Sequence, residues 1–166
     1  MQYNASVFIG RFQPFHKGHL HNIKSALEIS EKLILIIGSA SRARSIKNPF
    51  TFDERKSMIL SDLDNSGIDL HKIFIEPVVD YFYDEQSWVD DITQAVSLHM
   101  LAGDSVTIIG HDKDSSSYYL KIFPSWEFSP ISNYAGLNAT SLRNDLWQLK
   151  FHEINAYLIQ NKDKTG

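Results

Sequence analysis

Residues 5–37 carry the feature that most limits what this chain can fold into: two apolar runs joined by one helical segment. Ala5-Ser6-Val7-Phe8-Ile9 has strand character, and a turn string follows, Gly10-Arg11-Phe12-Gln13-Pro14-Phe15-His16-Lys17-Gly18-His19. From His19 to about Lys32, the residues Leu20, Ile23, Ala26, Leu27 and Ile29 recur at helical spacing. Leu33-Ile34-Leu35-Ile36-Ile37 is then unbroken, a pattern suited to a strand buried on both faces of a parallel sheet. Strand, helix and strand within roughly thirty residues make a right-handed crossover unit. Such units bind ligands at the carboxyl ends of their strands, where Gly10 and Gly38 fall.

The turn string has the chemistry of a phosphate cradle. The first backbone N–H groups of a helix lack partners and sit at the positive end of its dipole, so they attract anions. Gly10 and Gly18 let a ligand approach the main chain, His16 and His19 donate hydrogen bonds, and Arg11 adds a planar fork. Two histidines capping a surface helix would be the plainer reading of the same residues.

Further along, Arg42, Arg44 and Lys47 lie in a basic loop leaving the second strand, and Thr51 with Glu54 forms a capping box for a helix to about Leu63. Ile73 to Val78 reads as a third strand, Ser87 to about Leu101 as a helix, and Ser105 to Gly110 as a fourth strand. A polar string with His111, Asp112, Lys113 and Asp114 leads into a short helix, and Trp126 to Ile131 is a last short strand. Asn138 or Thr140 would cap a helix running through Leu149, where Ser141 and Arg143 lie in the first turn. A cation there opposes the helix dipole, which marks Arg143 as a candidate for function. A further amphipathic helix spans about His152 to Gln160, before a polar tail. The expected fold is α/β, a doubly wound parallel sheet of about five strands, over a single domain at 1–166.

Composition narrows the function classes. A net charge of −4 argues against a general nucleic-acid binder, so positive charge for a phosphate ligand must be local. The absence of cysteine removes thiolate catalysis, disulfides and thiolate metal sites. No apolar run approaches the roughly eighteen residues of a membrane span, and the start of the chain lacks a signal pattern, so a cytoplasmic, small-molecule protein is expected.

His16-Lys17-Gly18-His19 after the first strand resembles the His-x-Gly-His signature of nucleotidylyltransferases. With its Gly10-Arg11-Phe12-Gln13-Pro14 prefix, the string is similar to archaeal-type nicotinamide mononucleotide (NMN) adenylyltransferases, which also form the N-terminal half of bacterial bifunctional proteins with a Nudix hydrolase. Asn48-Pro49-Phe50-Thr51 with Glu54-Arg55, Gly110-His111-x-Lys113-Asp114, and Thr140-Ser141-Leu142-Arg143 extend the resemblance over nearly the whole chain, without a Nudix signature. The resemblance implies a Rossmann-like fold and transfer of AMP from ATP to NMN, giving NAD and pyrophosphate.

It also implies roles for residues. His16, His19, Arg11 and Arg143 would be catalytic. Gly10, Phe12, Gln13, Gly18, Lys47, Gly110, His111, Asn138, Thr140 and Ser141 would bind ATP, with Lys47 or Arg42 over the triphosphate. Gly38, Ser39, Phe50, Tyr83, Asp84 and Trp88 would bind NMN, Trp88 stacking on nicotinamide. Asp84, or Glu85, stands where the family pattern has Asn. Mg2+ would arrive on the ATP phosphates, with no protein metal ligands. Oligomeric state stays open. The alternatives are another phosphate acceptor, such as phosphopantetheine or nicotinate mononucleotide, and a module that senses NMN or NAD without turnover.

Overall fold

The computed structural model describes residues 1–111, 115–131 and 139–160. Strands β1 (Tyr3–Gly10), β2 (Ser30–Ile37), β3 (Ile73–Pro77), β4 (Val106–Gly110) and β5 (Glu127–Pro130) form a parallel sheet ordered β3-β2-β1-β4-β5. Helices α1 (Lys17–Ile29) and α2 (Phe52–Asn65) cover one face. Helix α3 (Glu85–Ser97) and the 3-10 segment Ser115–Lys121 cover the other, and α4 (Ala139–Gln160) follows β5. The doubly wound parallel sheet expected from the sequence is therefore present.

β2 shows why its run is unbroken. Leu33, Leu35 and Ile37 join the core beneath α1 and α2, while Ile34 and Ile36 join the core beneath α3. All five are fully buried, each contributing about 1.5–3 kcal/mol of transfer free energy.

Several boundaries differ from the sequence reading, and capping explains most of them. α1 begins at Lys17 rather than His19, because the His16 side chain caps it. It stops at Ile29 because Ser30 Oγ donates to the Ala26 carbonyl at 2.8 Å and the chain extends at once into β2. α3 begins at Glu85, two residues early, because Asp84 is its cap, and it ends at Ser97. Thr51 and Glu54 form the expected capping box on α2. The two C-terminal helices are one continuous α4 in which Thr140 lies inside the helix, and Asn138 lies outside the described residues. The tail from Asn161 and the Asp112–Asp114 stretch are outside them as well.

The chain winds outward from β1 through β2 to β3, then crosses back to β4 and β5. The reversal of direction falls between β1 and β4, and ligands of open α/β sheets bind outside such a point. Among the described residues, no helix is long and apolar enough to cross a membrane.

Candidate active site

At the carboxyl end of β1 the start of α1 is closed by two histidines acting on each other's backbone. His16 Nδ1 accepts from the Gly18 N–H at 3.2 Å, and His19 Nδ1 accepts from the His16 N–H at 3.3 Å. This is a capping box built from imidazoles, with the rings stacked at 3.6 Å between centroids. An Nδ1 that accepts carries no proton, so each neutral ring bears its proton on Nε2 and donates there. Phe12 meets the His19 ring edge-on at 4.9 Å and Phe15 stacks on it at 5.6 Å. Burial, then the neighbouring His16 and His111, push the His19 pKa down to about 3, so the ring is neutral at physiological pH.

Several residues expected to touch ATP help to hold the cradle's shape. Phe12 is buried, with a left-handed φ of 49°, and packs against Phe8, Phe15 and His19. The Gln13 amide is spent on the Phe50 backbone, donating to its carbonyl at 2.8 Å and accepting from its N–H at 3.0 Å. Side chains crowd Gly10 and Gly110. A Cβ at Gly10 would come within 2.9 Å of the Phe12 ring, and one at Gly110 within 2.7 Å of Leu120. Gly18 is buried and supplies the N–H that His16 accepts. His111 spans the reversal point: its Nδ1 lies 2.5 Å from the Ile131 carbonyl and its Nε2 lies 3.3 Å from the Asn22 amide nitrogen on α1.

Arg55 was not singled out by sequence reasoning, although it closes the Glu54-Arg55 string. It is 1% exposed and reaches from α2 beneath both strand-end turns. Nη1 donates to the Arg11 and Gly38 carbonyls, each at 2.7 Å, and Nη2 donates to the Ser39 carbonyl at 3.2 Å. Nε donates to the Thr51 carbonyl at 3.1 Å. Arg143 plays a similar part from α4, Nη1 donating to the Gln13 carbonyl at 2.7 Å and Nη2 to Thr140 Oγ1 at 3.1 Å. Thus Thr140 is an acceptor for Arg143 rather than a helix cap, and Ser141 lies exposed beside them. Burial, then the charge of Arg11, lowers the pKa of both buried guanidiniums. Among the described residues none of these three arginines forms an ion pair, so positive charge is concentrated at the strand ends.

The basic loop divides. Arg42 pairs with Asp80 at 2.6 Å, and Arg44 pairs with Glu54 at 2.7 Å, while Lys47 is exposed with no ion-pair partner among the described residues. A second cleft, of about 620 Å³, opens beside the N-terminus of α3 and is lined by Asp80, Tyr83, Asp84, Glu85, Trp88 and Tyr119, among others. Ser39 reaches this region by donating from Oγ to Asp80 at 3.0 Å. Asp84 lines the cleft while capping α3, its carboxylate accepting from the Ser87 N–H at 3.0 Å and the Ser87 hydroxyl at 2.6 Å. Those bonds hold its pKa below the usual carboxylate value. Phe50 departs from the expected grouping: it lines a separate groove with Ile46, Leu146 and Trp147.

Residues 7–116 match the cytidylyltransferase-like family. The chain belongs to that family. Within it, this nucleotidyltransferase is 40% identical to the nicotinamide/nicotinic acid mononucleotide adenylyltransferase of Acinetobacter baylyi, over 92% of this chain and 80% of that protein. It is also similar to a crystal structure of a bifunctional NMN adenylyltransferase/ADP-ribose pyrophosphatase from Francisella tularensis, at 53% identity and a TM-score of 0.84. That match covers 88% of this chain, which spans only 42% of the Francisella chain. A second Francisella structure, complexed with AMP and a manganese ion, gives 51% and 0.82 over the same shares.

Proposed function

We propose that this nucleotidyltransferase transfers the adenylyl group of ATP to NMN, forming NAD and pyrophosphate. The observation that carries the reading is the reciprocal histidine cap, which fixes two Nε2–H donors at the amino end of α1 beside the reversal point of the sheet. A phosphate oxygen of NMN attacks the α-phosphorus of ATP, a new P–O bond forms, and the bond to the β-phosphate oxygen breaks. Pyrophosphate leaves with the electron pair. The attacking phosphate is already ionised near neutral pH, so no general base is needed. What the protein supplies is alignment and charge stabilisation.

His19 is neutral, and its contribution is therefore a hydrogen bond from Nε2–H to the charge growing on the α-phosphate, with no proton transfer. His16, Arg11 and the first N–H groups of α1 hold the remaining phosphate oxygens, and Lys47 faces the triphosphate, since Arg42 and Arg44 are engaged elsewhere. Arg143 and Ser141 serve the leaving pyrophosphate, and Trp88 stacks the nicotinamide ring in the second cleft. The donors at the strand ends are N–H groups, matched to phosphate oxygens rather than to a metal. Among the described residues, no group of three His, Asp or Glu is placed to hold an ion. A divalent ion would enter with the nucleotide substrate, with Mg2+ the expected form.

Measuring NAD and pyrophosphate from NMN, ATP and Mg2+, with phosphopantetheine as the competing acceptor, tests the assignment. Turnover with NMN alone is the expected result. Nucleotide binding without pyrophosphate release would overturn it in favour of a sensor.

A further inference from the structure

The cleft beside α3 has an electrostatic character opposite to that of the phosphate end. Of its three carboxylates, Asp80 is neutralised by Arg42 at 2.6 Å. Asp84 and Glu85 have no cation at salt-bridge distance among the described residues. Asp84 is fixed by Ser87, and Glu85 accepts a hydrogen bond from the Tyr118 hydroxyl across the cleft. Trp88 lies four residues after Asp84 and three after Glu85 in the first turns of α3, so its indole and both carboxylates stand on one side of the helix. The result is an aromatic surface for a flat ring, edged by two carboxylates that only accept hydrogen bonds, with tyrosine hydroxyls nearby.

Resting on the adenylyl-transfer reading above, we propose that Glu85, supported by Asp84, makes this cleft selective for the carboxamide-bearing ring of NMN against the carboxylate-bearing ring of nicotinate mononucleotide. Both rings are pyridinium cations and both stack on an indole. Their difference lies in the substituent. A carboxamide has two N–H groups to donate to the Glu85 and Asp84 carboxylates, whereas a carboxylate donates none and sets like charges against them. A site that hydrogen-bonds a substrate N–H disfavours the analogue lacking it, by a margin that shrinks as solvent enters. Because both carboxylates are exposed, the margin is partly electrostatic and screened by salt.

The test compares kcat/KM for the two mononucleotides at fixed ATP and Mg2+ in the wild-type chain, Glu85→Gln and Asp84→Asn. Glutamine gains a donor without losing size, and asparagine keeps a capping oxygen for α3. Wild type is expected to favour NMN by at least about tenfold. Glu85→Gln narrows that ratio about tenfold, chiefly through a lower KM for nicotinate mononucleotide; Asp84→Asn narrows it less, and added salt narrows it most in wild type and least in Glu85→Gln. Equal use of both acceptors by wild type, or a ratio unmoved by either substitution, overturns the proposal. Failure of both acceptors to release pyrophosphate defeats the adenylyl-transfer reading instead. Calorimetric titration of the two mononucleotides then decides the selectivity of the cleft without turnover.

Discussion

The two ends of the candidate site are built on different principles. At the carboxyl end of β1, the groups proposed to face phosphate are locked by hydrogen bonds to main chain and by aromatic packing, and the key imidazole is neutral. Beside α3, the groups proposed to face the nicotinamide ring are exposed, charged and held by other side chains. The contrast follows the tasks. A transition state that exists only in passing is best met by donors that need no rearrangement. A stable ring is recognised by surface and charge, with side chains free to adjust.

If the rigid end performs the chemistry, its variants should lose turnover while those of the open end lose affinity. His19→Ala is expected to lower kcat about 10²–10³-fold with little change in the KM for ATP. Unchanged steady-state turnover would erase the distinction between the two ends. Arg55→Met removes the clamp under both turns and leaves the Arg11, Gly38 and Ser39 carbonyls without their donor. A loss of about 2–4 kcal/mol in denaturant unfolding is expected, along with reduced kcat. Trp88→Ala should raise the KM for NMN roughly tenfold while leaving the KM for ATP within about twofold. Equal shifts in both would place the indole outside the ring-binding cleft.

The smallest effect is in pH. The His19 pKa falls from 6.5 to about 3 on folding, so between those values the unfolded chain binds a proton that the native one refuses. Stability therefore declines as pH drops through 6.5 toward 3, and kcat shows no His19 titration between about pH 6 and 8. The His19 ring resonances, followed by NMR over that range, should stay still; a midpoint near 6.5 would make the rigid end a charged one.

Much of this was legible in the chain. Leu33 to Ile37 announced a strand buried on both faces, and the strings around His16, Thr51 and Arg143 fell at strand ends and helix starts. The sequence was weakest where one side chain reaches across the fold. Arg55 reads as the outer end of a helical capping motif until β1 and β2 bring three carbonyls to it. Gly10 reads as an opening for a ligand, and the fold adds that a Cβ there would meet the Phe12 ring, just as one at Gly110 would meet Leu120, ten residues along and on another element. Gln13 has the chemistry of a ligand contact, and only the folded loop shows its amide bound to Phe50. The C-terminal helices merged because no residue between them is a strong breaker, and Asp84 became a cap because Ser87 offered both an N–H and a hydroxyl.

The imidazole cap has a consequence for anyone redesigning this protein. Serine or aspartate at position 16 would start α1 at least as well, so a screen for thermostability would accept His16→Ser. The exchange would also unstack His19 and remove the His16 Nε2–H donor, although the N–H of residue 16 would still hold His19 Nδ1 and Phe12 and Phe15 would still pack on the ring. Stability and activity selections would then reward opposite residues at one position, and a library scored on melting temperature alone would drift toward well-folded, silent enzymes.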